Sequence, residues 1–373
     1  MVDRRAYLPA KILNQRYSIM IKLICVALTV GSSLTLAMGA EVGRDNVKLQ
    51  GAGATFPNPL YQRWVSEFEK LHPEVKIDYQ SIGSGGGIKA LTEKTVHFAG
   101  TDAPLSRKEL AALGADNVVQ IPTCSGAVVP AYNVPGISQP LNFSGQVLAD
   151  IYQGRIAKWN DPKITELNEG VKLPDLAITP AWRSEGSGTT FVFTNFLTTQ
   201  SKSFKESIGA GKQVQWPLGQ GGKGSEGVTA IVQSTAGAIG YMELNYAQAN
   251  SIAFGKVKNL DGKFVSASPE SVSIAGAAAL DGMKGSVLAA NIWNQPGEST
   301  YPISGFTYLI FYKDLRNSKN SAEAAAFKKF VIWCTSDGQR FASELAYAPL
   351  TDGVKARVLE VLNDVTFKGD AIK

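Results

Sequence analysis

The segment from Arg183 to Thr190 combines the residue types that an anion-binding site needs. It reads Arg-Ser-Glu-Gly-Ser-Gly-Thr-Thr and is followed by an apolar run. This pattern predicts a strand end, a loop of small residues and a helix start, where unpaired backbone N–H groups and the helix dipole attract negative charge. Ser187 and Thr189 add hydroxyl donors, and Arg183 adds a planar cation that suits a tetrahedral oxyanion. Read alone, the segment is equally compatible with an ordinary loop.

Two junctions of the same design occur earlier in the chain. Thr55 lies in the glycine-rich segment 51–57, ahead of an amphipathic helix pattern, and Ser84 lies in the glycine-rich segment 82–87. Ligands of open α/β sheets bind at the carboxyl ends of the strands. Several such junctions directed into one cleft would therefore surround an anion with backbone and hydroxyl donors.

Asp102 follows a further predicted strand, and a carboxylate at this position would select among anions. It would repel a fully deprotonated anion such as sulfate, whereas it can accept the proton of a protonated phosphate in a charge-assisted hydrogen bond. The alternative is a solvated turn residue or a helix cap, since Asp-Ala-Pro is common in turns. The spacing alone does not choose between these two interpretations.

The elements that must position these residues alternate between strand and helix, which predicts an α/β fold with parallel, doubly wound sheets. Ser106 and Glu109 form a predicted capping box at a helix start. The predicted strands are 47–50, 75–79, 97–100, 118–122, 127–133, 177–182, 238–242 and 303–312. The predicted helices include 60–71, 88–95, 146–152, a helix ending at 234, one beginning at 268–270, 321–334, 337–345 and 354–362.

Length and charge limit the possible classes of protein. A chain of 373 residues suggests two lobes of ordinary domain size. The net charge is +5, but five basic residues and one acidic residue fall within the first forty positions. The rest of the chain is therefore nearly neutral, which argues against a nucleic-acid-binding surface.

Residues 1–40 resemble an export signal. A basic stretch precedes an apolar core at 23–37, and small residues follow it at 39 and 40; either Met1 or Met20 can be the start. Export predicts an oxidising compartment, where Cys124 and Cys334 can pair. Two separate buried cysteines are the alternative, which their distance in sequence favours.

Residue types that would indicate an enzyme or a cofactor are scarce. The chain has two histidines, and its cysteines lack metal-ligand spacing, so we expect no metal and no cofactor. Ser187 is outside a nucleophile elbow and has only His97 as a candidate base. The glycine after Lys223 rules out a nucleotide-binding phosphate loop. A phosphatase using Asp102 and Glu185 remains an alternative, although no cluster of metal-binding carboxylates supports it.

Taken together, the motifs resemble those of the periplasmic phosphate-binding proteins of phosphate-specific ABC importers. They are segments 51–57, 82–84, 101–105, 183–189, 219–227 and 237–241, which follow the family's order along essentially the whole chain after the signal. The resemblance implies an α/β fold of two doubly wound lobes joined by a hinge, the type II periplasmic binding protein fold. Lobe one would comprise 41–126 and 304–373, lobe two 127–303, with phosphate in the cleft between them.

The resemblance also implies a set of phosphate ligands. Backbone and hydroxyl groups would donate, Asp102 would accept the phosphate proton, and Arg183 would be the only cation on the ligand. Glu185 stands where the best-known members have an aspartate that pairs with the arginine. The implied ligands are Thr55, Phe56, Ser84, Asp102, Arg183, Ser187, Gly188 and Thr189.

The function implied by the resemblance is phosphate capture without catalysis. We expect a periplasmic monomer that binds inorganic phosphate with high affinity, closes over it, and passes it to a membrane ABC permease and its ATPase. Arsenate matches phosphate in charge and protonation and is expected to compete. Two alternatives remain on the same fold: a phosphate-ester hydrolase, and an extracellular phosphate-scavenging or adhesion protein.

Overall fold

The computed structural model describes residues 46–372 apart from Ser138 and Ala278. The expected export signal, residues 1–40, lies outside the described residues. No helix in the described part of the chain is both long enough and apolar enough to cross a membrane.

Strands and helices alternate along most of the chain, as predicted. The strands are β1 (Val47–Gly53), β2 (Val75–Ser81), β3 (Phe98–Thr101), β4 (Val118–Tyr132), β5 (Asn142–Phe143), β6 (Thr179–Arg183), β7 (Gln220–Gly222), β8 (Ala238–Glu243), β9 (Ala253–Phe254), β10 (Lys256–Lys258), β11 (Phe264–Val265), β12 (Ser304–Tyr312), β13 (Thr366–Phe367) and β14 (Asp370–Ala371). The α-helices are α1 (Asn58–Leu71), α2 (Ser84–Thr92), α3 (Arg107–Leu113), α4 (Gly145–Tyr152), α5 (Pro162–Thr165), α6 (Gly188–Gln200), α7 (Lys202–Ser207), α8 (Gly224–Ser234), α9 (Leu244–Ala249), α10 (Pro269–Ala277), α11 (Ser321–Thr335) and α12 (Asp352–Asn363). Short 3-10 helices occupy Ala115–Asn117, Leu280–Gly282, Asp337–Phe341 and Ser343–Leu345, so the single helix predicted over 337–345 is two shorter turns.

The main sheet is mixed, whereas the sequence predicted parallel sheets. Its strand order is β2-β1-β3-β12-β4-β8-β6-β7, with β9 also paired to β4. β1 is parallel to β2 and β3, and β6 is parallel to β7 and β8. β12 is antiparallel to β3 and β4, and β4 is antiparallel to β8. The prediction of parallel strands is therefore right for the group β1–β3 and for the group β6–β8. It is wrong for β4 and β12, which connect these two groups.

The long strand β4 connects the two halves of the sheet. Its residues 118–127 pair with β12, and residues 128–132 pair with β8. The sequence predicted two strands interrupted at 123–126, because Thr, Ser and Gly are typical of turns. Thr123 finds a buried partner instead, because its Oγ1 atom lies 2.8 Å from the Tyr61 hydroxyl. The strand therefore continues through this segment, with a register shift against β12 between residues 122 and 124, and it changes partner between residues 127 and 128.

Local signals decide where the site helices begin. Ser187 caps α6 by accepting a hydrogen bond from the Thr190 N–H, and Gly188 is the first helical residue. α2 begins at Ser84 rather than at the predicted residue 88, so the glycines after Ser84 form the first helical turn instead of a loop. Gly83 precedes it with φ of 82°, a conformation that favours glycine.

Buried aromatic packing fixes α6 against the sheet. Phe193 stacks on Tyr241 of β8 with ring centroids 4.5 Å apart, and Tyr152 of α4 packs edge-on against Phe193. Cys124 and Cys334 are both buried and free. The disulfide interpretation is therefore wrong, and the two cysteines serve as small apolar core residues.

Candidate anion-binding site

The loops after β2, β3 and β6 meet at Ser84. The Ser84 Oγ atom accepts hydrogen bonds from the N–H groups of Gly188, at 3.1 Å, and Asp102, at 3.3 Å. The Gly85 N–H donates to the Gly186 carbonyl at 2.9 Å. Residues about a hundred positions apart in sequence thus touch across the two halves of the sheet.

Arg183 is held by hydrogen bonds on three sides of its guanidinium, and its side chain is almost fully buried. Nε donates to Glu185 Oε1 at 2.8 Å, and Nη2 donates to the same oxygen. Nη1 donates to Thr189 Oγ1 at 3.1 Å and to Ser225 Oγ at 3.2 Å. Burial opposes the charge, but the neighbouring Glu185 carboxylate outweighs it and raises the pKa of Arg183. A permanent cation therefore lies at the base of this site.

Thr55 and Phe56 reach the site from the other half of the sheet. Thr55 Oγ1 lies 2.8 Å from Ser225 Oγ, and the Tyr246 hydroxyl donates to the Thr55 carbonyl at 2.9 Å. Within the described residues, the backbone N–H groups of Phe56, Ser84 and Thr189 have no hydrogen-bond partner. Buried N–H groups are seldom left unpaired, so these three donors indicate the position of an acceptor ligand.

Asp102 is buried, and in the described part of the chain one of its two carboxyl oxygens accepts a hydrogen bond. Oδ1 accepts a hydrogen bond from Thr307 Oγ1 at 2.7 Å. Oδ2 faces the start of α6, because a Cβ atom built on Gly188 would lie 2.5 Å from it. Burial raises the pKa of Asp102 to about 8, with the Glu243 charge adding to the rise and Thr307 and Arg183 opposing it. The solvated-turn interpretation of Asp102 is therefore wrong.

Four further residues at the site were not singled out as site residues from the sequence. Ser225 lies in the glycine-rich segment 219–227 that the sequence analysis noted, and the Tyr241 hydroxyl accepts from the Arg183 N–H at 3.1 Å. Glu243 ends β8 and accepts from Thr189 Oγ1 at 2.6 Å. Its position at the carboxyl end of a strand was a usable signal. Thr307 lies within a strand, and its sequence carries no such signal.

The alternatives that depend on catalysis find no support in this geometry. His97 is not paired with Ser187: its Nδ1 accepts from the Gln50 N–H at 3.0 Å, and its Nε2 lies 3.4 Å from Glu323. Ser187 Oγ instead accepts from the Thr190 N–H at 3.1 Å. Among the described residues, no group of three or more His, Cys, Asp or Glu side chains is placed to hold a metal ion. The arrangement can bind a small oxyanion that carries a proton.

Comparison with known proteins shows which superfamily this protein belongs to. The family model described as "PBP superfamily domain" matches residues 39–337. A high-affinity periplasmic phosphate-binding protein (PfluDING) shares the fold with a TM-score of 0.66 at 24% identity, covering 84% of this chain and 93% of that one. A phosphate-binding protein from Stenotrophomonas maltophilia has a TM-score of 0.64 at 21% identity, covering 83% and 92%. The chain belongs to the PBP superfamily and has its two-lobed α/β fold.

Closer relatives define the family. A phosphate-binding protein PstS from Pasteurella multocida is 41% identical over 311 residues, which cover 83% of this chain and 88% of the relative. A protein of the same name from Haemophilus influenzae is 40% identical over 328 residues, which cover 88% and 96%. Within the superfamily, the chain therefore belongs to the PstS family of phosphate-binding proteins.

Proposed function

We propose that this protein binds inorganic phosphate with high affinity and delivers it to an ABC-type importer, acting as a carrier and not as an enzyme. The observation that supports this most strongly is that hydrogen-bond donors and a hydrogen-bond acceptor are buried side by side in the site. Arg183 and N–H groups donate, while Oδ2 of Asp102 accepts; among the described residues, neither these N–H groups nor Oδ2 has a hydrogen-bond partner. Such a site suits an anion that both accepts and donates hydrogen bonds, which phosphate does and sulfate does not.

The site residues take distinct roles in this proposal. Asp102 Oδ2 accepts the phosphate proton, and Arg183, oriented by Glu185, supplies the positive charge. Donors come from both halves of the sheet, so that the complete set is available only when the two halves are together. These donors are Thr55, Phe56, Ser84, Ser187, Gly188 and Thr189. Thr189 donates through its N–H, because its hydroxyl proton goes to Glu243, and the Gly188 N–H turns to the ligand from Ser84 Oγ, to which it donates in this structure.

Two lobes that close around a hinge account for phosphate release. In this proposal lobe one comprises 41–126 and 304–373, and lobe two comprises 127–303. The change of partner along β4 near residue 127, and the backbone hydrogen bond from Gly85 to Gly186, support these bounds and a closed state. Phosphate shifts the population to the closed state because only that state offers donors from both lobes.

The remaining parts of the proposal concern location and partners. Residues 1–40 direct export, and the protein works in the periplasm as a monomer beside a membrane permease and its ATPase. Arsenate, with the charge and protonation of phosphate, competes for the site. The relatives are named phosphate-binding proteins, which supports phosphate as the ligand. Membership of the same family supports delivery to an importer.

Calorimetric titration of the chain from Ala40 onward tests the proposal. We expect tight one-to-one binding of phosphate, competition by arsenate, no heat with sulfate, and no hydrolysis of a chromogenic phosphate ester. Ester turnover would instead indicate a hydrolase, and binding of sulfate alone would indicate a carrier for a different anion. Phosphate binding without stimulation of a reconstituted importer would favour a scavenging protein.

A further inference from the structure

Glu243 is a buried carboxylate beside the proposed phosphate site with no role in it so far. It is 1% exposed, and in the described part of the chain its Oε2 atom has no hydrogen-bond partner. Among the described residues, the guanidinium of Arg183 forms its ion pair with Glu185 and not with Glu243. A buried carboxylate without a direct cation destabilises a fold by several kcal/mol in order of magnitude. Its presence therefore calls for a function at the site.

The hydroxyl of Thr189 connects Glu243 to the arginine. Thr189 Oγ1 donates its single proton to Glu243 Oε1 at 2.6 Å. Its oxygen then has only lone pairs left to offer, and one of them accepts from Arg183 Nη1 at 3.1 Å. Burial raises the pKa of Glu243, with Arg183 and Thr189 opposing the rise. Oε1 can accept the threonine proton whether or not Oε2 carries a proton of its own.

Counting the guanidinium donors shows what this connection does. Arginine has five N–H groups in a rigid fork. Nε and one N–H of Nη2 donate to Glu185, and Nη1 donates to Thr189 and Ser225. In the described part of the chain, a single Nη2 N–H remains without a partner. The acceptor at Thr189 thus supplies one of the four contacts that hold the fork in one orientation.

We propose that Glu243 is a positioning residue of the phosphate site: it takes the Thr189 proton, makes the Thr189 oxygen an acceptor for Arg183, and so directs one Nη2 N–H of the guanidinium at the ligand. This inference rests on the proposed function. Without the acceptor at position 243, the threonine hydroxyl rotates and the guanidinium loses one of the contacts that orient it.

Two neutral variants separate the acceptor from the charge. Glu243→Gln keeps an oxygen that accepts the Thr189 proton, and Glu243→Met has nearly the same size without one. Because both variants remove the charge, its effect cancels in their comparison. We expect the phosphate dissociation constant of the Met variant to exceed that of the Gln variant by about tenfold or more, the effect of one hydrogen bond to a charged network. In a Thr189→Val background, this ratio falls to near one.

The outcomes distinguish the inference from the function on which it rests. A wild-type protein that does not bind phosphate overturns both. Two results would overturn only the role of Glu243 in a wild type that binds phosphate. One is a ratio of the Met to the Gln dissociation constant below about twofold. The other is a tenfold ratio that persists in the Thr189→Val background. Both thresholds exceed ordinary titration error.

A measurement on the wild type keeps the test decisive if the Met variant does not fold. In nitrogen-15 NMR of the phosphate complex, we expect separate, slowly exchanging signals for Nη1 and Nη2 of Arg183, and faster exchange between them in Thr189→Val, which loses one of the contacts that hold the fork. Equal exchange in the wild type and in Thr189→Val would overturn the inference. The Gln variant should show the same separation. Averaged signals in the wild-type complex would overturn the inference.

Discussion

Replacing Asp102 with asparagine tests the proposed basis of anion selectivity. Thr307 Oγ1 donates to Oδ1 at 2.7 Å, so the oxygen of the asparagine amide must take the position of Oδ1. The amide nitrogen then replaces Oδ2 beside Gly188, where the wild type has an acceptor. Asp102→Asn therefore exchanges an acceptor for a donor with almost no change in shape.

The expected effect follows from the two hydrogen bonds that are exchanged. Phosphate loses a hydrogen bond to a charged group, about 1.5–3 kcal/mol, so it binds about 10- to 150-fold more weakly. Sulfate loses a repulsive neighbour and gains a neutral hydrogen bond of about 0.5–1.5 kcal/mol, or about two- to tenfold in affinity. The ratio of phosphate to sulfate affinity is therefore expected to fall by the product of these two effects, about 20- to 1,500-fold.

The assay is calorimetric titration of both proteins with each anion at one ionic strength and at one pH above 8, where the carboxyl group of Asp102 is ionised before the anion binds. Thr307→Val is the matched control, because it removes the group that orients Asp102 while leaving the carboxylate in place. It should weaken phosphate binding less than Asp102→Asn does. A phosphate-to-sulfate ratio in the Asn variant within about threefold of the wild type would refute the role of Asp102, since even one neutral hydrogen bond changes affinity by more than about twofold.

Three further changes test closure and the buried charge. Gly188→Ala places a Cβ atom 2.5 Å from the Asp102 Cβ and Oδ2 atoms, so titration should show phosphate binding weakened by about 5- to 150-fold, with Gly282→Ala, which meets nothing within 4 Å, unchanged. Lys212 forms an ion pair with Glu109 of α3, and both side chains are about one-fifth exposed. If this pair holds the closed state, stopped-flow dissociation of phosphate from Lys212→Met should be about two- to fivefold faster at low salt, and the difference should shrink at high salt. The pKa of Asp102 rises from 3.8 to about 8 on folding, so the folded protein binds more protons than the unfolded chain between these values. Denaturant unfolding of the ligand-free wild type should show stability falling by a few kcal/mol as the pH rises through this window, and Asp102→Asn should show a clearly smaller fall, since Glu243 still titrates there. Equal pH dependence of the two proteins would contradict the burial of the Asp102 carboxyl group.

Much of the local structure was predictable, because short-range signals determine it. Ser106 and Glu109 form the predicted capping box of α3, and α10 begins at Pro269 as predicted. The region around Ser187 also behaves as its residue types indicate, with a serine cap followed by a glycine start to α6. Each of these features depends on residues within a few positions of one another, so the sequence contains the information directly.

The continuous strand β4 could not be predicted from its own residues. The segment 123–126 has the composition of a turn, yet all fifteen residues of the strand are buried. Whether a threonine or serine breaks a strand depends on whether its hydroxyl finds a partner, and Thr123 finds one in Tyr61, which is 62 positions away. The antiparallel connection between the two halves of the sheet was missed for the same reason, since strand direction is set by pairing partners distant in sequence.

By itself, the sequence determined the kinds of chemical group available for binding: an arginine, helix-start N–H groups, hydroxyls, and one carboxylate after a strand. Only the tertiary structure decided how these groups act. Folding brings Thr307 to Asp102 over 205 positions and Ser225 to Thr55 over 170, and it places Glu243 against Thr189. These contacts commit particular oxygens and protons and leave others free for a ligand. The physical reason is that a hydrogen bond has a direction and a single proton, which spacing along the chain does not specify.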